Sequence, residues 1–390
     1  MIPNQKTLFI NAEIIGSQPM IACGWLLTEG KRILSFGEGE PPILEEKIDL
    51  QRIDCTTRTL LPGFIDLHTH GALGSDFIDG SPEDIQKIST FYASHGVTGF
   101  LASTYTATKK EIEYALQTIR SCIGKEKGAL ILGIHLEGPW LNAACAGAQD
   151  TSLIRVADPS EVLPYLDSGL IKLIALAPEI QENRWLINEC QTRGITAAAG
   201  HTDATYEEME DALRMGVTLV THCFNAMSPL HHRQPGVVGA ALTLPELRCE
   251  LIADNIHVHP AVMRLLVNTK TPQGVILVTD SISVAGMPDG SYSLKGRQVI
   301  CSGGAARLLD GTLAGSSLTM ETALANLMSA AQRPLVELWR CSSFNAAKSI
   351  HISDHKGKIE PGFDADLVLL DSNLHVVVTM VEGIIVFVKR

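Results

Sequence analysis

The sequence offers no C-x-x-C pair. Its nine cysteines (23, 55, 122, 145, 190, 223, 249, 301 and 341) are odd in number and scattered. Neither a zinc ribbon nor a disulfide framework is indicated, and scattered thiols suit a reducing compartment. A basic excess is missing as well. With 31 Lys and Arg against 43 Asp and Glu the formal charge is −12, which argues against a general binder of nucleic acid or anionic membrane. It leaves room for one arginine to hold a small anion. No uncharged apolar run reaches the ~18 residues that would span a bilayer. The opening MIPNQKTLFINAEIIGS has polar residues where a secretory leader needs an apolar core. These absences predict a soluble, cytoplasmic protein. Low-complexity segments are lacking, as is any repeat with a period of about 20–50 residues.

What is present is a chain of 390 residues, 45% of them hydrophobic. That is enough for a large core and excludes a mostly disordered chain. Both ends read as β structure: TLFINAEII, MIACGWLLT and RILSFG before Arg58, and DADLVLLD, LHVVVTMV and GIIVFVK after Pro361-Gly362. A small β-sandwich domain built from both termini, residues 1–58 and 355–390, is expected.

Between them, eight short apolar runs alternate with helical patterns, the signature of βα units. They are LPGFIDLHTH (61–70), VTGFLAST (97–104), ALILGIHLE (129–137), IKLIALAPE (171–179), ITAAAGH (195–201), VTLVTHC (217–223), CELIAD (249–254) and GVILVTD (274–280). Their nearly continuous apolar character suits strands buried on both faces. Helices are predicted over Pro82–Ser94, Lys109–Cys122, Tyr206–Met215, Pro260–Asn268, Thr319–Ala331 and Leu335–Ser349. No G-x-G-x-x-G follows the first run, which counts against a doubly wound sheet. The expected fold is α/β, a TIM-like (β/α)₈ barrel over residues 59–354.

Most of the runs end in a residue able to bind a metal or move a proton: His68 and His70, His135 and Glu137, His201, His222, Asp254 and Asp280. A barrel gathers these strand ends at one mouth. His68-x-His70 places both rings on one strand face, and imidazole with carboxylate suits Zn, Fe or another divalent first-row metal. A lone His at a strand end is more often a hydrogen-bonded core residue. Glu137, His201 and His222 together reverse those odds, because three protein ligands with an open position make a catalytic metal site. Asp280 reads either as the carboxylate that takes and returns a proton or as a turn residue. His135 reads as a packing or supporting group. Arg233, in the basic cluster His231-His232-Arg233, is either solvated or reaches a substrate anion. His257 either touches substrate or bridges loop backbone, and the glycines of LAGSS (313–317) either admit a ligand or form a loop.

Longer blocks carry a resemblance. PGFIDLHTHG (62–71) and GKIEPGFDADLVLLD (357–371) are similar to the opening and closing signatures of metal-dependent amidohydrolases. GIHLEGPWLN (133–142), AAGHTDAT (198–205), THCFNAMSPLHHRQPGVVGAAL (221–242), ADNIHVHP (253–260), VTDSISVAGMPDG (278–290) and TLAGSSLTM (312–320) closely resemble N-acetylglucosamine-6-phosphate deacetylases and the related N-acetylgalactosamine-6-phosphate enzymes. The resemblance runs from about residue 55 to the C-terminus. It implies hydrolysis of the acetamide of an N-acetylhexosamine 6-phosphate. It implies Glu137, His201 and His222 as metal ligands, with His68 and His70 available to a second ion bridged by Glu137. The metal would be zinc, with iron, cobalt or manganese as alternatives. Asp280 becomes general base and then acid. Gln149, Asn225, Ala226, Leu313, Ala314 and Gly315 lie against the substrate, while Arg233 and His257 bind the sugar phosphate from the neighbouring subunit of a homodimer. Two departures stand out. Asn255 replaces a glycine, and Gln149 replaces a substrate-binding histidine; Gln can donate a hydrogen bond but carries no charge. A cyclic-amide hydrolase and a metal-free binding protein on the same barrel are the competing readings.

Overall fold

The computed structural model describes residues 5–16, 19–42, 50–294 and 296–389. Parts of the predicted terminal unit, residues 1–4, 17–18, 43–49 and 390, lie outside the described residues.

Alternating apolar residues at both ends pair into one sheet. Its spatial order is Ile384–Val388, Val376–Val381, Leu367–Leu370, Thr59–Pro62, Lys6–Ile14, Ile21–Glu29 and Arg32–Glu38, with Leu50–Asp54 added alongside Lys6–Ile14. Phe9, Ile14, Leu26, Leu60, Leu367 and Met380 form its own hydrophobic cluster, separate from the barrel core. The expected division is residues 1–58 with 355–390 and residues 59–354, but Val368, Leu370 and Val376 pack into the barrel core. The strand Thr59–Pro62, at the edge of the second segment, pairs into the terminal sheet.

The eight apolar runs form parallel strands in sequential order: β1 Phe64–Thr69, β2 Val97–Thr104, β3 Leu130–Glu137, β4 Ile171–Leu176, β5 Thr196–Ala199, β6 Val217–Val220, β7 Arg248–Ile252 and β8 Val275–Val278. Every residue of β1 and β2 is buried, as two-sided coverage requires. The barrel closes just past β8, where the Asp280 amide donates to the His68 carbonyl at 2.8 Å and the His70 amide to the Ser281 carbonyl at 2.7 Å. The closing seam therefore consists of residues flanking three of the candidate catalytic groups. This is the α/β barrel with a small β domain that the alternation predicts.

Local chemistry explains the helices. Capping boxes Ser81/Asp84, Thr108/Glu111 and Thr205/Glu208 start α1 Pro82–Ser94, α2 Lys109–Cys122 and, later in the chain, Tyr206–Met215. The predicted helix over Leu335–Ser349 is instead broken into Leu335–Leu338, a 3-10 turn Trp339–Ser342 and Phe344–Ser349. The Ser342 and Ser343 hydroxyls both donate to the Trp339 carbonyl, competing with helical bonding. Asn345 meanwhile docks on the Pro272 and Val275 carbonyls, each at 2.7 Å. The sequence reading held no element between β8 and the helix Met320–Ala331. The chain there forms a four-stranded antiparallel sheet, Gly290–Leu294, Arg297–Ser302, Ala305–Leu308 and Leu313–Ser316.

One largely buried ion cluster lies within the terminal unit and joins its two chain segments. Lys356, 7% exposed, lies 2.8 Å from Asp364 and 2.7 Å from Asp366, and Arg32 of the terminal sheet meets Asp364 at 2.5 Å. Removing one member of a buried ion cluster leaves uncompensated charge, which typically costs about 3–5 kcal/mol. Lys356→Met should therefore lower the urea-unfolding free energy by about that amount; a change below about 1 kcal/mol would show that the carboxylates find other partners.

Candidate metal centre and active site

The strand ends converge as the spacing predicts. Glu137 Oε1 lies 3.0 Å from His222 Nε2, 3.2 Å from His201 Nε2 and 3.3 Å from His68 Nε2. The Nε2 atoms of His201 and His222 are 3.1 Å apart, and those of His68 and His70 are 3.2 Å apart. Asp280 Oδ1 stands 3.2 Å from His70 Nε2 and 3.6 Å from His68 Nε2. All six side chains are buried. Two groups of three, His68-His70-Glu137 and Glu137-His201-His222, share the Glu137 carboxylate.

Tautomers decide what this cluster can hold. His201 Nδ1 faces the Cys145 carbonyl at 2.9 Å. A carbonyl only accepts, so Nδ1 carries a proton and Nε2 of the neutral ring turns a lone pair on Glu137 and His222. His68 Nδ1 does the same toward the Glu250 carboxylate at 3.1 Å, leaving its Nε2 facing Glu137. Burial lowers the pKa of the His68 and His201 rings, but the Glu137 carboxylate outweighs it and both sit above the usual histidine value. Burial likewise opposes ionisation of Glu137 and Asp280, yet the neighbouring imidazoles hold both carboxyls below their ordinary range. The centre thus calls for positive charge between Glu137 and the rings. Protons on every ring are excluded by Nε2 pairs about 3 Å apart. Ligands bound at about 2.0–2.1 Å to a tetrahedral ion stand roughly 3.3 Å from one another, close to the separations here. The donor set fits a divalent metal.

Supporting groups complete the arrangement. Glu250, fully buried, accepts from His68 Nδ1 and from the His222 amide at 3.3 Å. Asp66 accepts from the His68 amide at 3.2 Å and from the Thr279 hydroxyl at 2.5 Å. Burial raises its carboxyl to about 7. Ser103 Oγ accepts from the Thr69 amide at 3.0 Å and lies 3.1 Å from His135 Nδ1. Burial pushes the His135 ring well below its ordinary pKa, which fits the packing or supporting role read from the sequence. Sequence reasoning missed Glu250 and Asp66. The available signal for Asp66 was parity, since it precedes His68 by two; for Glu250 it was an acid set between Cys249 and Leu251 in a strand.

The backbone is strained where the site is built. His201, His222, Phe224, Ala226, Asn255 and Asp280 all have positive φ, between 30° and 81°. That conformation costs about 1 kcal/mol or more in a non-glycine residue. Asn255 at φ 64° takes over the turn for which a glycine is usual. Beside it Asp254 accepts from the Ile256 and His257 amides, both at 2.8 Å, and from His257 Nδ1 at 2.6 Å.

A cavity of about 240 Å³ opens over the cluster, with His70, Glu137, His201, His222 and Asp280 on its floor. Asn225, Ala226 and His257 form one wall, and Leu313, Ala314 and Gly315 another. The second wall is the inserted sheet rather than a loop. The Ser316 amide donates to the Asp280 carbonyl at 2.8 Å, and a Cβ at Gly315 (φ 62°) would come within 2.5 Å of Ile282 Cγ2. Gln149 reaches Glu137 Oε2 at 2.6 Å. Tyr105 and Arg297 also line the cavity and were not anticipated. Arg233 is exposed, 2.6 Å from His232, and is not part of these walls.

Residues 59–386 match the amidohydrolase family model. Over 337 residues the chain is 40% identical to the N-acetylglucosamine-6-phosphate deacetylase of Bacillus subtilis, covering 85% of each chain. It belongs to that deacetylase family of amidohydrolases. Another relative is the N-acetylgalactosamine-6-phosphate deacetylase of Escherichia coli O157:H7, 35% identical over 87% of this chain and 90% of that one. Among solved structures, an N-acetyl-D-glucosamine-6-phosphate deacetylase variant from Mycobacterium smegmatis in complex with N-acetyl-D-glucosamine-6-phosphate superposes with a TM-score of 0.88. It is 31% identical, with 98% of this chain and 100% of that chain covered. The chain is thus an amidohydrolase-family enzyme whose strand-end residues fit a divalent metal, and none of its described helices is long and apolar enough to cross a membrane.

Stripping this deacetylase-family chain with a chelator should lower its melting temperature, and adding back one or two equivalents of zinc should restore it, since a ligand bound only by the folded state stabilises it. An unchanged melt, with no metal in the untreated protein by elemental analysis, would contradict the ligand reading.

Proposed function

We propose that the chain removes the acetyl group from N-acetyl-D-glucosamine 6-phosphate, giving acetate and glucosamine 6-phosphate. The observation that carries this reading is the Glu137-His201-His222 cluster with Asp280 beside it at the floor of one cavity. A divalent ion held there supplies Lewis acidity and lowers the pKa of bound water from 15.7 toward about 7. Zinc is the proposed metal, with iron, cobalt and manganese as alternatives; Glu137, His201 and His222 hold one ion, and His68 and His70 are available to a second.

The protein's own groups do the rest. Asp280, ionised and buried against His70, takes the proton of the attacking water and returns it to the departing amine nitrogen. Asn225, Ala226 and the backbone of Leu313–Gly315 fix the sugar ring in the cavity, which brings the acetamide to the floor and supplies orientation. His257, locked by Asp254, lines the cavity of its own chain and is proposed to meet the phosphate there, not in the neighbouring subunit as the resemblance implies. Arg233 is proposed to reach the phosphate in a neighbouring subunit's cavity, which requires a homodimer; its exposure and its absence from the lining of its own cavity support that role. Cytoplasmic location is proposed on the nine unpaired thiols.

The 4-epimer, N-acetylgalactosamine 6-phosphate, is the second reading, favoured by the 35% identity to the Escherichia coli enzyme. Steady-state turnover of both epimers on metal-loaded protein ranks them. Asp280→Asn should keep the metal and lose at least about 100-fold in kcat, the scale of a missing general acid-base. Wild-type-like turnover in that variant would remove Asp280 from the scheme. Arg233→Ala should raise KM for the phosphorylated sugar and leave turnover of the unphosphorylated N-acetyl sugar unchanged. Equal losses on both substrates would contradict the phosphate role.

A further inference from the structure

The resemblance assigns the position of Gln149 to the substrate carbonyl, but both ends of this amide are already committed. Its Oε1 accepts from the Thr106 backbone amide at 2.8 Å, and a backbone N–H can only donate. The side-chain orientation is therefore fixed by the chain itself: oxygen to Thr106, nitrogen away from it. The nitrogen then donates to Glu137 Oε2 at 2.6 Å. Glu137 is the carboxylate common to both metal-ligating groups, and its two oxygens are differently engaged. Oε1 is met by Nε2 of His222, His201 and His68 at 3.0, 3.2 and 3.3 Å. Oε2 has the Gln149 amide, with His70 Nε2 farther off at 3.7 Å.

We infer that Gln149 is a positioning residue that acts through Glu137: by holding Oε2 it turns Oε1 onto the imidazoles and makes the carboxylate a one-oxygen ligand. This rests on the metal reading proposed above. A free carboxylate on a side chain with several rotatable bonds loses freedom when it ligates; a charge-assisted hydrogen bond anchored to backbone removes that freedom beforehand. The anchor is firm because Thr106 is itself buried, 2% exposed. One of its two N–H donors is held by Glu137 in this arrangement.

The test is competition for zinc against a chromophoric chelator, with the absorption spectrum of the cobalt-substituted protein as a second readout. Wild-type protein is compared with Gln149→Leu, which keeps the bulk but has no donor, and with Gln149→His, which keeps a ring N–H. Loss of such an outer partner typically weakens metal binding 10–100-fold. Gln149→Leu should show a loss of about that size and a changed cobalt spectrum, and Gln149→His should recover most of the affinity. With metal saturating, KM in Gln149→Leu should stay near the wild-type value. Unchanged zinc affinity in folded Gln149→Leu, together with a raised KM, would overturn the inference and return Gln149 to substrate binding. Should Gln149→Leu fail to fold, Gln149→Met takes its place: weakened zinc binding with a changed cobalt spectrum supports the inference, and wild-type affinity and spectrum overturn it. Wild-type protein that competes for no zinc would instead remove the metal reading itself.

Discussion

The architecture turns on one electrostatic fact. A buried carboxylate oxygen, Glu137 Oε1, faces three imidazole nitrogens at 3.0–3.3 Å, and the outer nitrogens of two of those rings are committed to acceptors. Lone pairs cannot be left facing a carboxylate in a dry interior, because burying unpaired charge costs far more than any single packing contact returns. A cation at their centre resolves the conflict. The barrel makes this possible by bringing the ends of five strands to one place, and its walls are dry: β1 and β2 are buried throughout.

Around that centre, the supporting contacts are what give the ligands their direction. Glu250 and the Cys145 carbonyl set which nitrogen of His68 and His201 looks inward. Asp280 is held from both sides, its amide on the His68 carbonyl and its carbonyl under the Ser316 amide. The acid proposed to move the proton is thus stitched into the barrel's closing seam and into the inserted sheet that walls the cavity. The left-handed backbone at His201, His222 and Asp280 stores strain that the surrounding hydrogen bonds overcome, which is where such strain tends to be found.

The barrel was legible because its strands are nearly continuous apolar runs of the right length, separated by capped helices; periodicity needs no tertiary knowledge to be read. The convergence of the candidate ligands was legible for a related reason: each reactive residue lies at a strand end, and strand ends share a mouth. What escaped the sequence had no local signature. Glu250 looks like a single acid in a strand until its pairing with His68 across 182 positions is seen. The four short strands between Gly290 and Ser316 are interrupted by Gly303-Gly304 and Gly311, so their alternation was too brief to register. The break near Ser343 in the last helical stretch comes from docking onto carbonyls of Pro272 and Val275, a tertiary pull that outweighs local propensity. For Gln149 the sequence revealed the departure from a histidine, while the direction of its amide is set by the Thr106 backbone.

Anomalous diffraction from a crystal of the protein as purified, recorded on both sides of the zinc edge, tests the central claim most directly. The account predicts an edge-dependent peak within about 2.0–2.3 Å of a Glu137 oxygen and of His201 and His222 Nε2. A map with no peak there, or with its strongest peak elsewhere and these side chains hydrogen-bonded only to one another, would contradict it.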